Sequence, residues 1–421
     1  MNSLLKRALQ VSFAASVCLL AIAHDRCSVA QNAPKIDRTK PVVLTDRARE
    51  LHRQCIVIDG HNDLPWVVRT KGGSSFVAKD ISKSQPNFDT DIPRLRKGGL
   101  GAQFWAAYPP AETAKEKNAA HYTLEQIDLI HRMIRTYPET FELATSADDI
   151  VRIHRAGKIA SLIGIEGGHA IENSLGLLRM FHSLGVRYMT LTHSDTIDWA
   201  DAATDTPRHG GLSPFGEEVV QTMNELGMLV DISHVSPDTM KDALAVSKAP
   251  IIASHSSAYA LAPHPRNVPD DVLKLVAKNG GVVMVNFFSG FIVHESAKQM
   301  ASMFDVRRKL RAEFPNEVEY DAAYKKWQKE HPMQPGTIHD VIDHIDHIVQ
   351  VAGIDHVGLG SDFDGVTMLP KQLEDVSTYP LITQALLDRG YSDSDVKKIS
   401  GENLLRAFRE AQRVSESMKK K

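Results

Sequence analysis

Eight short apolar runs, at residues 55–59, 102–107, 159–165, 187–192, 228–233, 250–254, 282–286 and 356–361, constrain this chain more than any other feature of its sequence. Most are continuous rather than alternating, which is the pattern of parallel strands covered on both faces. Helical stretches separate them, most clearly at 124–137, 175–184, 214–226, 237–246, 269–279 and 337–352. Three of these begin with proline, whose fixed φ suits the first helical position, and Ser213 and Ser236 stand in cap positions. Strand and helix alternating eight times is the sequence form of a (β/α)8 TIM-type barrel, an α/β fold, with a doubly wound open sheet as the alternative. One connection is too long for a simple crossover. About seventy residues separate 286 from 356, with a charged stretch at 295–331, which reads as a helical insertion or lid at about 290–336, before the last strand. With neither internal repeat nor low-complexity linker, residues 31–421 read as one domain.

The polar residues fall at the ends of the apolar runs. His61 and Asp63 follow the first strand, Glu166 the third, His193 the fourth, His234 the fifth, His255 the sixth and Asp362 the eighth. In a barrel these positions converge on the C-terminal rim, where such folds keep their catalytic groups. Imidazoles and carboxylates buried there without partners would be costly, and a metal cluster removes that cost. Alternate residues of an extended strand point to opposite faces, so His61 and Asp63 reach one metal only if the chain bends after Asp59-Gly60. Glycines flank Glu166 and let the backbone turn closely around a ligand. Alone, Glu166 reads equally well as a helix cap; beside strand-end histidines it reads as a carboxylate bridging two metals. His169 is a candidate to orient a ligand by hydrogen bond. His339, His344 and His347 share one helix without the spacing or the glutamate of a His-Glu-x-x-His site, and read as a solvated face. Cys55, inside an apolar run, reads as a buried small hydrophobe.

Composition narrows the chemistry. The 19 His against 3 Cys leave imidazole and carboxylate as the metal ligands. Lys plus Arg total 49 against 52 Asp plus Glu, a net charge of -3, so there is no global field for nucleic acid and a small-molecule or peptide partner is expected. No Gly-x-Ser-x-Gly elbow, phosphate loop or Gly-x-Gly-x-x-Gly turn is present, so serine hydrolases, nucleotide hydrolases and dehydrogenases lose their usual signals. At the N-terminus, Lys6 and Arg7 precede an apolar run at 11–23, and Ser28-Val29-Ala30 has the form of a signal peptidase site. Residues 1–30 are therefore expected to be a signal peptide, with a cut after Ala23 as the alternative, because the run is too short to span a bilayer. Cleavage after Ala30 removes Cys18 and Cys27 and leaves Cys55 without an internal disulfide partner. Residues 413–421 are polar and basic, without an anchor signal. The expectation is a soluble exported protein, periplasmic or extracellular, with no stable membrane anchor.

From about residue 55 to 409 the chain resembles the membrane, or renal, dipeptidase family of zinc metallopeptidases, a branch of the amidohydrolase-like barrels. The resemblance is carried by Ile58-Asp59-Gly60-His61-Asn62-Asp63-Leu64-Pro65-Trp66, Glu166-Gly167-Gly168-His169, Leu191-Thr192-His193-Ser194, Asp231-Ile232-Ser233-His234-Val235-Ser236, Ser254-His255-Ser256-Ser257-Ala258-Tyr259 with Arg266-Asn267-Val268-Pro269-Asp270-Asp271, and Ser361-Asp362-Phe363-Asp364-Gly365. It implies two zinc ions, one held by His61 and Asp63, the other by His234 and His255, with Glu166 bridging them. It also gives His193 and Arg266 to substrate binding and Asp362 to substrate binding and proton transfer. The implied activity is hydrolysis of dipeptides by a metal-bridging hydroxide, extending to L,D-dipeptides and dehydropeptide-type β-lactams.

The chain departs from that pattern in places. Asp195 stands where vertebrate members have a cysteine, the glycolipid-anchor signal is missing, and Phe291 stands where a tyrosine can contact substrate. A homodimer built on a disulfide is therefore left open. The competing functions are another binuclear amidohydrolase, such as a deaminase or lactonase, and a non-catalytic exported binding protein. A carbamylated lysine normally bridges the metals of the former, whereas the third strand here ends in Glu166; the latter would require missing ligands.

Overall fold

Along each strand the side chains divide between two apolar clusters with a period of two. Ile58, Phe104, Leu162, Tyr188, Ile252 and Met284 belong to one cluster, while Val57, Trp105, Ile163, Met189, Ala253 and Val285 belong to the other. A strand buried on both faces sorts its residues this way when one face lines a barrel and the other meets a layer of helices. The computed structural model describes residues 36–314 and 317–420, so the expected signal peptide lies outside them.

The ring consists of β1 (Val57–Asn62), β2 (Leu100–Ala107), β4 (Ile159–Glu166), β5 (Val186–Thr190), β6 (Leu229–Asp231), β7 (Ile252–Ala253), β8 (Val282–Val285) and β9 (Val357–Leu359). Each is parallel to its neighbours, β2 pairs directly with β4, and β9 returns to β1, so the sheet closes on itself. This is the expected eight-stranded α/β barrel. A ninth strand escaped the sequence reading: β3 (Phe141–Leu143) pairs with the first residues of β4 and stands outside the ring. Cys55 precedes β1, closing the helix Asp46–Gln54, and is buried as expected.

Between the strands, helices Pro214–Leu226 and Pro237–Val246 start where their prolines predict, with the Ser213 and Ser236 side chains accepting from backbone N–H groups of the first turn. Pro269 differs: it is the cap residue itself, and its helix is Asp270–Asn279. The helix Ile338–Ala352 is not the solvated face expected for its histidines. His339 and His344 are buried, and His344 ties two loops by accepting from the Ala258 N–H at 2.9 Å through Nδ1 and meeting the Ile292 carbonyl at 3.1 Å through Nε2.

The long connection after β8 is helical, as anticipated. A short helix, Ser289–Ile292, leads into helices His294–Glu313 and Glu317–Glu330. Its base is cross-tied. The Ser296 hydroxyl exchanges hydrogen bonds with the backbone of Gln334, at 3.0 and 2.9 Å, and the Ser289 hydroxyl accepts from the Gly336 N–H at 3.0 Å. At the other end of the barrel the last helix, Asn403–Lys419, presents Leu404, Leu405, Phe408 and Ala411 to the cluster that fills the ring. It plugs the face opposite the rim. Phe408 is fully buried there, so Phe408→Ala is expected to cost about 3–5 kcal/mol of unfolding free energy, measured by urea titration, because the helix cannot collapse into the space left behind.

Candidate metal centre

Irregular backbone at the rim turns the polar side chains toward one point. The β1–β2 register slips between Asp59 and Asn62, and Asp63 has left strand geometry with φ -98 and ψ 20. The alternate residues His61 and Asp63 thereby meet, with His61 Nε2 3.2 Å from Asp63 Oδ2. His234 and Asp362 take left-handed conformations, with φ of 68 and 66, which side-chain-bearing residues adopt at a cost of about 1–3 kcal/mol when the surroundings hold them.

Glu166, the last residue of β4, is the hub. Its Oε1 lies 3.0 Å from His234 Nε2, 3.4 Å from His255 Nε2, 3.6 Å from His61 Nε2 and 3.7 Å from His193 Nε2. The Nε2 atoms of His234 and His255 are 3.0 Å apart. Asp362 joins His61 and Asp63 in a group whose ligand atoms lie within 4.8 Å of one another. Its Oδ2 accepts from Asn286 Nδ2 at 2.8 Å, and Asn286 follows β8. The structure thus brings together His61, Asp63, Glu166, His193, His234, His255 and Asp362. His169 stands apart from the ligands: its Nε2 bonds the Pro109 carbonyl at 3.0 Å and holds the loop after β2 rather than a ligand.

Electrostatically the cluster is short of positive charge. Burial and the neighbouring carboxylates raise Glu166 to about 8 and Asp362 to about 7, with His61 and Arg266 acting in the opposite direction. Burial also opposes protonation of His61, yet Glu166, Asp63 and Asp362 together push it up to about 10. His193, His234 and His255 are driven well below the ordinary range by burial, with nearby cationic or imidazole groups adding to the shift, so their contacts with Glu166 are not ion pairs. His61 Nε2 is buried without a hydrogen-bond partner. Orphaned imidazole nitrogen and crowded carboxylate oxygen around one point are the donor set of a divalent transition metal, and the residues fit such a group. Gly365 leaves room for it. A Cβ there would stand 2.2 Å from Asp63 Oδ2 and 2.5 Å from Asp362 Oδ1.

These groups face a cavity of about 430 Å³, walled by Trp66, Tyr108, Phe288 and Phe291, with Arg266 in its lining. Arg266 is held from behind by the Ser256 hydroxyl at 3.2 Å and the His255 carbonyl at 3.3 Å, and its Nε has no partner. The Phe291 ring lies 5.3 Å from the guanidinium carbon. A second cavity, of about 450 Å³, also has His193 in its lining, with Lys115, Asp195 and Arg208. The clustered carboxylates face the first cavity, so the chemistry belongs there.

A family model described as membrane dipeptidase (peptidase family M19) matches residues 45–421. The chain belongs to that family. It is a metallodipeptidase, which sets aside the deaminase, lactonase and non-catalytic readings. Among solved structures it is similar to the probable dipeptidase PvdM of Pseudomonas aeruginosa, at 28% identity over 87% of this chain and 98% of that one, with a TM-score of 0.75. An amidohydrolase from Pseudomonas aeruginosa matches at 25% identity over 86% of this chain and 98% of that one, with a TM-score of 0.65. A metallopeptidase from Rhodobacter sphaeroides, liganded with a phosphinate mimic of the dipeptide L-Ala-D-Ala, matches at 24% identity, covering 85% and 99%, with a TM-score of 0.70.

Sequence reasoning missed several residues around the dipeptidase centre. Asn286 was visible only as the last residue of a strand run, and nothing local says that it holds Asp362. Tyr108 follows β2 and lies 4.8 Å from the His193 ring, a rim position that the strand pattern alone offers as a signal. Gly365→Ala is expected to leave the barrel folded while lowering both metal content and turnover, the latter by about 10² or more, since displacements near 1 Å cost that much. Elemental analysis beside a dipeptide assay measures both; wild-type values in both would remove Gly365 from the site.

Proposed function

We propose that this dipeptidase holds two zinc ions, one on His61 and Asp63, the other on His234 and His255, with Glu166 shared. The observation that carries the reading is the convergence of four imidazole Nε2 atoms on Glu166 Oε1, within 3.0 to 3.7 Å. Bound there, the ions would supply a water acidic enough to attack at neutral pH and would polarise the scissile carbonyl.

The chain's own residues supply the rest. Asp362, raised toward neutrality by burial, takes the proton of the attacking water and returns it to the leaving amine, while Asn286 keeps its other oxygen in place. His193 is neutral, and the Ser194 hydroxyl lies 2.9 Å from its Nδ1. A hydroxyl donating there leaves the proton on Nε2, available to the developing oxyanion. Arg266 pairs with the substrate's free carboxylate through a guanidinium fixed by Ser256 and the His255 carbonyl. Phe288 and Phe291 wall the same cavity with apolar surface.

The substrates proposed are free dipeptides, including L,D-dipeptides of the kind mimicked by the ligand of the Rhodobacter sphaeroides metallopeptidase, and dehydropeptide-type β-lactams. The chain is proposed to be one barrel domain with its helical insertion, exported after loss of the leader. Among the described residues no helix is long and apolar enough to cross a membrane.

Elemental analysis of purified protein is expected to give close to two zinc ions per chain; one ion with full activity would refute the shared-carboxylate arrangement. Dipeptides with a free C-terminus are expected to exceed their amides by about ten- to a hundredfold in kcat/KM, and Arg266→Met to remove most of that preference. Equal proportional losses on acids and amides would assign Arg266 to structure instead.

A further inference from the structure

Behind the imidazoles runs a buried hydroxyl relay that none of these roles uses. Asp231, the last residue of β6, is fully buried and accepts four hydrogen bonds. The N–H groups of Ser233 and Ser254 reach Oδ1 at 3.0 and 2.8 Å, and the hydroxyls of Ser254 and Thr190 reach Oδ2. Ser254 Oγ also lies 2.7 Å from His255 Nδ1. Apart from this relay, the Tyr188 hydroxyl lies 2.8 Å from His61 Nδ1. It reaches that position by crossing the barrel over Gly164, where a Cβ would stand 2.0 Å from the phenol ring.

Proton accounting fixes the direction of the bonds at Ser254. A hydroxyl carries one proton and two acceptor lone pairs. The Ser254 proton goes to Asp231 at 2.6 Å, since its contact with Ser233 Oγ, at 3.4 Å, is too long to compete. Toward His255, Ser254 can then only accept, so His255 carries its proton on Nδ1 and turns a free Nε2 lone pair to the centre. That is the state a metal ligand needs.

We infer that Asp231 is a positioning residue that sets the tautomer and ring orientation of His255 through Ser254, so that a buried carboxylate prepares a metal ligand that it does not itself touch. The inference rests on the two-zinc reading above. Asp59 shows what is particular to Asp231. It too accepts the N–H of the residue two ahead, His61, the N–H and hydroxyl of a serine on the next strand, Ser361, and a further hydroxyl, from Tyr379. Ser361 precedes Asp362, and its hydroxyl meets the His61 carbonyl at 3.3 Å rather than an imidazole. The same clamp therefore holds backbone at β1 and also aims one ligand, His255, at β6.

Three variants test the relay, with zinc affinity read by chelator competition and folding by thermal unfolding of the metal-free chain. Ser254→Ala is expected to weaken the zinc site served by His255 by about 10- to 100-fold, and Asp231→Asn, whose amide would donate to Ser254 and turn the Ser254 proton toward His255, to weaken the same site by a similar factor. Thr190→Val removes a bond to the same carboxylate off the relay, and is expected to leave zinc affinity unchanged. Full affinity in Ser254→Ala or in Asp231→Asn overturns the relay. An equal loss in Thr190→Val overturns it as well, because the effect would then be general loosening. If Ser254→Ala does not fold, the isosteric Asp231→Asn decides. A wild-type chain that holds no zinc refutes the two-zinc reading instead.

Discussion

Three buried carboxylates, Asp63, Glu166 and Asp362, face one another with too little protein charge to balance them. Like charges crowded in low dielectric repel strongly. Burial keeps His193, His234 and His255 neutral, and Arg266, itself pushed down to about 10 by burial, is anchored away from the hub by Ser256 and the His255 carbonyl. Without a metal, protons taken up at His61 and Glu166 are the remedy the site favours. The rim is thus built around charge that the chain itself does not carry, and metal binding and folding are coupled through it.

The barrel's contribution is to make that arrangement stiff. Left-handed backbone at His234 and Asp362 persists because neighbouring strands over-determine it: the Asp362 N–H bonds the His61 carbonyl at 3.2 Å, and the His234 carbonyl takes the Ala203 N–H at 2.7 Å. Asp59 and Asp231 each lock the end of one strand to a serine on the next. The ligands are then spaced by the strand lattice rather than by flexible loops, which is the condition for a preorganised centre.

How much of this the sequence displays depends on the range of the interaction. Continuous apolar runs mark all eight ring strands, because burial on both faces leaves a local signature, and the ends of those runs mark His61, Glu166, His193, His234, His255 and Asp362. β3, at three residues, is too short to leave a pattern. His344 shows the opposite failure: a polar residue at helical spacing looks solvated until two loops from elsewhere in the chain are seen to close over it. Tyr188 was invisible for the same reason. It lies within an apolar run and reads as core, which it is, while its hydroxyl meets the imidazole of His61, 127 positions away. His169 was rightly suspected of a positioning role but given the wrong partner, because sequence cannot show that the Pro109 carbonyl comes within reach.

The cross-tied base of the hairpin after β8 separates two kinds of freedom. Ser296 with Gln334, and Ser289 with Gly336, close the excursion before its helices begin to diverge, on the barrel side of nearly all its length. Of the residues that wall the cavity, Phe288 lies before both ties and Phe291 between them. The entropy of closing a loop grows only slowly with its length, so residues beyond the ties can be added or lost at small thermodynamic cost. The stem acts as a strain relief, like the clamp where a cable enters an instrument: whatever happens to the free length, the connection inside does not feel the pull.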